Sequence, residues 1–459
     1  MDGGERGARE IPAWYDQRKL GIFVHWGPYS VPGWAPVTGS FDSVPERLGW
    51  EAWFRENPYA EWYQNTLKIA GSPTARHHAE TYGEDIPYED FGDAFAAATE
   101  DWDPATWVDL FRSAGAGYVV LTTKHHDGYC LWPSQHPNPN RVGWQSKRDL
   151  VGELGTAVGA AGMRYGLYYS GGLDWTFEPR AVRDFDAVRG TIPQGDDYIE
   201  YVDRQWRELI ERYRPALLWN DIGMPAAYPV ADLFAAYYRA VPDGIVNDRF
   251  GVGMTKAEPG HLAPFDITTP EYRSYAEITP EKWEATRGLG YSFGFNRDEG
   301  DDALISVPDL VHLLVDVVSK NGNLLLNVGP MADGTIPDGQ RDRLEGLGAW
   351  LRTNGEAIHG TRPWRVAEGT TGEGIPIRFT QKAGALHVIL LGQPGVRVTL
   401  PPGTVPDGST VTLCGHQTPL TVTTGNDGEA TVGLPGTLTE QPAYAFRIAP
   451  GPGHDGDRA

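Results

Sequence analysis

Residues Pro215-Ala-Leu-Leu-Trp-Asn-Asp-Ile-Gly-Met-Pro225 decide the fold. Ala216-Leu-Leu-Trp is a short apolar run without polar alternation, as expected of a strand buried on both faces. Ile222-Gly223-Met224-Pro225 cannot continue that strand comfortably, so Asp221 stands at its end, where a loop opens. Burying an unpaired carboxylate there is costly and requires a compensating reason. Active sites of α/β barrels lie at such strand ends.

Similar runs recur on both sides. They are Gly21-Ile-Phe-Val-His, Gly117-Tyr-Val-Val-Leu-Thr-Thr, Tyr165-Gly-Leu-Tyr-Tyr, Gly244-Ile-Val-Asn, Phe265-Asp-Ile-Thr and Asn323-Leu-Leu-Leu-Asn-Val. Between them apolar residues repeat at helical spacing, as in Val202, Trp206, Leu209, Ile210 and Tyr213, or Leu310, Leu313, Leu314, Val317 and Val318. Residues 105–113 and 231–240 also read as helices. Strand–helix alternation on this scale implies parallel strands with right-handed crossovers. Seven strands are clear, and the stretch between Trp26 and Gly117 has room for another. The simplest closure is a (β/α)8-like, TIM-type barrel over residues 1–364. A doubly wound open sheet is the alternative, but no GxGxxG follows the first strand.

After Trp364 the pattern changes. Ile377-Arg-Phe-Thr and Leu386-His-Val-Ile-Leu flank a Lys382-Ala-Gly-Ala turn and read as a hairpin. Val396-Arg-Val-Thr-Leu, Thr410-Val-Thr-Leu-Cys and Tyr444-Ala-Phe-Arg-Ile follow between Gly-, Pro- and Asp-rich turns. A C-terminal all-β sandwich over 365–450 is expected, with a polar, disordered tail over 451–459.

Composition narrows the function. Of 459 residues, 39 are Lys or Arg and 61 are Asp or Glu, for a net charge of −22. That balance argues against nucleic acid or an anionic membrane as partner. The 16 Trp and 21 Tyr suit stacking on sugar rings, although most of them should serve as core. Two cysteines, Cys130 and Cys414, allow neither a disulfide framework nor a CxxC metal site. No signal peptide is visible in the polar first ten residues, and no apolar run is long enough to span a bilayer. A soluble cytoplasmic protein is the expectation, with secretion open if a leader has been trimmed. A homo-oligomer is possible.

Polar residues gather at successive strand ends: His25-Trp-Gly, Lys124-His-His-Asp-Gly, Tyr168 and Tyr169, Trp219 with Asp221, Asp248-Arg249, and Thr269-Pro-Glu-Tyr. Two carboxylates stand out, Asp221 and Glu271. A pair flanking one bond is the apparatus of glycoside hydrolysis, provided one is ionised and the other protonated. Metal-assisted hydrolysis through His25, His125, His126 and an Asp competes. Adjacent His125 and His126 on a regular strand would point to opposite faces, and only an irregular strand end lets both face inward. No metal and no cofactor are expected.

At these positions the chain resembles the family 29 glycoside hydrolases, the α-L-fucosidases. Phe23-Val-His-Trp-Gly-Pro-Tyr-Ser is similar to the family's first-strand motif. Tyr59-Ala-Glu-Trp-Tyr, Thr123-Lys-His-His-Asp-Gly-Tyr-Cys-Leu-Trp-Pro-Ser, Gly166-Leu-Tyr-Tyr-Ser and Leu218-Trp-Asn-Asp match further. So do Lys282-Trp-Glu, Ser292-Phe-Gly-Phe-Asn, Asn321-Gly-Asn-Leu-Leu-Leu-Asn-Val-Gly-Pro and Asn354-Gly-Glu-Ala-Ile. The similarity runs from about residue 11 to about residue 365.

The resemblance implies an exo-acting, retaining α-L-fucosidase that removes terminal fucose from fucosylated glycans through a covalent glycosyl-enzyme. It makes Asp221 the nucleophile. For the acid/base, Glu271 is preferred and Glu284 is the competitor. Thr279-Pro280 resembles an N-cap, which would place Glu284 early in a helix. By the same resemblance His25, Glu61, His125, His126 and Trp219 hydrogen-bond or line the sugar, and Tyr168 lies near the nucleophile. Tyr59, Trp62 and Phe293 would pack against its methyl and apolar face, and Arg249 would charge-balance the carboxylates. Glu61 falls in a stretch whose secondary structure the sequence leaves open, so a solvated helix residue is its alternative.

Overall fold

The computed structural model describes residues 9–41, 43–251, 265–416, 418–436 and 438–452. The tail expected to be disordered lies, beyond Pro452, outside the described residues. Seven parallel strands form the main sheet: β1 Leu20–Val24, β2 Tyr118–Lys124, β3 Arg164–Ser170, β4 Leu217–Asp221, β5 Ile245–Val246, β6 Trp283–Gly288 and β7 Gly322–Val328. Their order is β5-β4-β3-β2-β1-β7-β6. Residues 266–271 close the gap between the two ends. Ile267 bridges to Asn247 beyond β5, and Thr268 and Glu271 bridge to Trp283 and Thr286 of β6, all in parallel. The result is a (β/α)8-like barrel with eight staves, one of them held only by isolated bridges.

Two expectations are corrected. Between Trp26 and Gly117 the described residues form helices and turns, without a strand. The missing stave is β6, whose Trp-Glu-Ala-Thr-Arg-Gly had suggested the start of a helix around Glu284. Its polar residues point inward: Glu284 and Thr286 face the barrel interior, while Trp283 and Ala285 join the outer core. A strand with a polar inner face lacks the apolar run by which its neighbours are recognised.

Alternation along each stave divides the packing in two. Phe23, Tyr118, Val120, Tyr168, Leu217 and Trp219 fill the barrel interior. Ile22, Val119, Leu121, Leu167, Leu218 and Leu326 face outward into the core shared with the helices. The same parity aims Asp221, two residues beyond Trp219, into the interior. Gly21 is required where it stands, because a Cβ there would lie 2.2 Å from the Tyr118 ring.

The helices are defined by local chemistry. Asp103 caps Pro104–Ser113 through the Ala105 amide, and Ser306 caps Val307–Ser319 through the Asp309 amide. The long helix Asp196–Tyr213 buries Val202, Trp206, Leu209 and Ile210 and stops at Arg214, which takes a left-handed conformation. Among the described residues no helix is long and apolar enough to cross a membrane.

From Arg362 the strands are antiparallel. β8 Arg362–Thr370, β9 Pro376–Lys382, β10 Ala385–Leu390, β12 Thr410–Leu413 and β15 Tyr444–Ala449 form one sheet. β11 Arg397–Leu400, β13 Thr421–Thr424 and β14 Ala430–Gly433 form a second. Phe379, Val388 and Phe446 of the first sheet share a core with Val398, Leu400 and Val432 of the second. The other face of the larger sheet packs on the barrel's last helices, where Trp350 Nε1 donates to the Ala443 carbonyl and His312 meets that of Pro442.

Candidate active site

A cavity of about 120 Å³ opens at the C-terminal ends of the staves. At about 10–15 Å³ for each water-sized group, it has room for roughly ten non-hydrogen atoms, the scale of one six-carbon sugar. All twelve residues expected at the site, other than the runner-up Glu284, line it: Asp221 and Glu271, then His25, Tyr59, Glu61, Trp62, His125, His126, Tyr168, Trp219, Arg249 and Phe293.

Arg249 sits between the two carboxylates, on the turn Asp248–Phe250 after β5. One guanidinium nitrogen donates to Asp221 Oδ1 at 2.9 Å and another to Glu271 Oε2 at 3.3 Å. Thr269 fixes the same guanidinium through its hydroxyl and carbonyl oxygens, both at 3.0 Å, and the Trp219 ring lies 4.6 Å beneath it. Tyr168 donates to Asp221 Oδ2 at 3.0 Å, and Tyr59 donates to Glu271 Oε1 at 2.9 Å. Each carboxylate is followed by a residue with positive φ, Ile222 at 60° and Tyr272 at 50°. Such conformations in bulky residues cluster at functional sites.

The two acids are driven apart. Burial works to raise both. For Asp221 the charge of Arg249, with the hydrogen bonds from Arg249 and Tyr168, outweighs burial and holds the carboxyl below its ordinary range. For Glu271 burial wins over Arg249, and the neighbouring Asp221 charge adds to it, so the carboxyl lies above its ordinary range. Opposite directions in neighbouring carboxyls mark an ionised and a protonated partner.

The histidines are held neutral. Burial pulls His25 down to about 3 and His126 to about 4, and places His125 well below its usual value. The Asn327 amide nitrogen donates to the Phe293 carbonyl, so its oxygen faces His25 Nδ1 at 2.6 Å and must accept. His25 therefore carries its proton on Nδ1 and keeps a lone pair on Nε2. Ser170 donates to the Leu173 carbonyl and accepts from His126 Nδ1 at 2.7 Å, which leaves the Nε2 lone pair of His126 free, 3.9 Å from Asp221 Oδ2.

His125 and His126 both face the cavity because the register of β2 against β3 shifts between Thr122 and Lys124. Behind them Lys124 pairs with Asp174 at 2.7 Å, both fully buried, and the Trp175 amide holds the His126 carbonyl.

Glu61 lies on the 3-10 turn Ala60–Trp62 and is 2 % exposed, so it is no solvated helix residue. It accepts from the Gly294 amide at 2.7 Å, and burial lifts it to about 7. Tyr59 does more than offer an apolar face, since its hydroxyl holds Glu271.

Glu284 is placed differently. It lies on strand β6, outside the cavity lining, beneath Trp219. Tyr15 donates to it at 2.9 Å and Trp219 Nε1 at 3.1 Å, with Tyr118 as a third donor. Burial raises it to about 7.

Sequence reasoning missed Asn327 and Ser170, which fix the histidine tautomers. It also missed Phe41, Trp53 and Phe185 at the cavity mouth. Asn327 was within sight, in the Asn323-Leu-Leu-Leu-Asn run at a strand end.

A family model for α-L-fucosidase matches residues 4–356. The tissue α-L-fucosidase of Bos taurus is 36 % identical over 407 residues, covering 84 % of this chain and 76 % of that one. The plasma α-L-fucosidase of Homo sapiens is 33 % identical over 432 residues, covering 90 % and 83 %. Among solved structures, the Thermotoga maritima α-fucosidase in complex with a mechanism-based inhibitor superposes with a TM-score of 0.85. It is 43 % identical, covering 95 % of this chain and 96 % of that one.

Proposed function

The chain belongs to the α-L-fucosidase family and is a glycoside hydrolase of that class, and we propose that it releases terminal α-L-fucosyl residues by double displacement, with Asp221 as nucleophile and Glu271 as acid/base. The observation that carries this reading is the Arg249 clasp. One guanidinium holds two carboxyls at the mouth of a sugar-sized cavity while their surroundings push them to opposite protonation states.

In the first step Asp221 attacks the anomeric carbon, and Glu271 gives its proton to the departing glycosidic oxygen. Arg249 keeps Asp221 ionised and positions Glu271 beside it. In the second step the ionised Glu271 takes a proton from water, which attacks the same carbon and releases Asp221. The Nε2 lone pairs of His25 and His126 accept from sugar hydroxyls. The lone pair of His126 points toward Asp221, so one hydroxyl next to the anomeric carbon can reach both acceptors. Phe23 and Phe293 supply apolar surface suited to the methyl group of fucose. A galactose hydroxyl there lacks a partner, and such a pocket discriminates by about 1–3 kcal/mol.

In this reading residues up to about 364 are the catalytic unit, and the β sandwich over 365–450 buttresses its last helices. Fucosylated glycans are the substrate class.

The test is Asp221→Ala. Turnover of an aryl α-L-fucoside should fall by a factor on the order of 10⁴ or more, and added azide should restore a rate by forming a fucosyl azide. Near wild-type turnover in this variant would reject the assignment. Fucose binding by the wild-type protein without any turnover would point to a sugar-binding protein instead.

A further inference from the structure

We propose that an aromatic row running from the cavity lining out to solvent is the subsite for the leaving group, and that it takes the apolar face of the pyranose ring joined to fucose. The proposal rests on the fucosidase reading above and deepens it.

The row starts at the acid/base. Tyr59, whose hydroxyl holds Glu271, meets Trp53 with ring centroids 5.4 Å apart. Trp53 meets Phe41 at 5.5 Å, Phe41 meets Trp50 at 5.6 Å, and Trp50 meets Phe185 at 4.7 Å. Along this row burial gives way to exposure. Tyr59 and Trp53 are buried, Phe41 and Phe185 are half-buried, and Trp50 is 37 % exposed. Trp53, Phe41 and Phe185 line the same cavity as the two carboxyls.

Direction settles the occupant. The oxygen that Glu271 protonates must lie on the Glu271 side of the sugar, so the leaving group emerges there. Around Asp221 the residues Trp219, Tyr168 and His126 are each at most 2 % exposed, whereas the row that starts at Tyr59 reaches solvent at Trp50. A departing group therefore runs along the aromatic row. Flat apolar rings suit the C–H face of a pyranose. A purely structural role accounts for the buried part of the row, since Trp53 belongs to the satellite core that also holds Leu173, Val182 and Val188. It does not account for a contiguous aromatic strip that continues from the cavity to solvent.

The experiment compares kcat/KM on a panel of α-L-fucosyl disaccharides with kcat/KM on methyl α-L-fucoside, whose leaving group has no ring. In Trp50→Ala and Phe185→Ala the disaccharide-to-methyl ratio should fall about three- to ten-fold, the size of one lost aromatic contact. Trp50→Phe should keep most of it. Parallel losses on both substrates would mean that the row only supports the fold and would overturn the proposal. No change on either would overturn it too. A ratio that falls for 4-nitrophenyl α-L-fucoside but for no disaccharide would replace the pyranose with an aryl group. If the wild-type protein binds fucose yet turns over none of these compounds, the fucosidase reading itself fails, and the subsite falls with it.

Discussion

Tyr59 donates its hydroxyl hydrogen to Glu271 Oε1 across 2.9 Å, so this carboxyl is held from a second direction besides Arg249. A hydrogen bond to a carboxylate favours its ionised form, and this one works against the burial that raises Glu271. Tyr59→Phe should therefore raise Glu271 further. The alkaline limb of kcat/KM should move to higher pH, and rates on poor leaving groups should drop about three- to ten-fold because a weaker acid donates less readily. A pH–rate profile checks this, and an alkaline limb that stays in place would remove Tyr59 from the assignment.

Arg249 is the largest influence lowering Asp221. Without it, burial should carry the Asp221 carboxyl upward. In Arg249→Met the acid limb of kcat/KM should shift to higher pH, and kcat should fall by a factor on the order of 10² to 10³, the usual cost of losing one charge-stabilising donor. The profile and rate measured together separate the electrostatic role from simple loss of binding.

Ser170 fixes His126 by accepting from its Nδ1. In Ser170→Ala that partner is gone and the proton is free to occupy Nε2, where it removes the acceptor the sugar needs. The inhibition constant for fucose should weaken about tenfold. A His126 nitrogen chemical shift still characteristic of the Nδ1–H tautomer would contradict this account.

Glu284 offers a stability prediction. Its carboxyl is raised from 4.5 to about 7 because burial outweighs its three donors. The folded protein then holds this proton more tightly than the unfolded chain. Its contribution is most favourable below pH 4.5, declines as pH rises toward about 7, and is constant above that. The decline is on the order of 3 kcal/mol. Glu284→Gln removes the titration, so the variant should gain on the wild type as pH increases through this interval. Denaturant unfolding at several pH values measures it. The same variant should retain turnover with an ordinary dependence on leaving group, since Glu284 is not among the residues that line the cavity.

Much of this architecture was legible because apolar runs and helical spacing announce outward packing. Ile22, Leu121, Leu167 and Leu218 are such signals. The acids and histidines were legible because strand ends in a barrel converge. What escaped were features set by the inner face of the barrel and by tertiary contacts. β6 escaped because Glu284 and Thr286, its inward residues, are polar. The row from Phe41 to Trp53 escaped because short helices at Val44–Leu48 and Trp50–Arg55 have too few turns to show a period. The inward turn of both His125 and His126 depended on a register shift in β2 that no residue type announces.

The two carboxyls are mounted unlike one another. Asp221 ends a strand in continuous register with β3, from the Gly166–Leu217 pair to the Ser170–Asp221 pair. Glu271 rides on the one stave tied by scattered bridges. The proposed nucleophile is thus bolted to the frame, whereas the proposed proton donor hangs on its least anchored member. Substitutions that re-aim the donor toward unfamiliar leaving groups can accumulate on that stave while the chemistry at the anomeric carbon keeps its alignment.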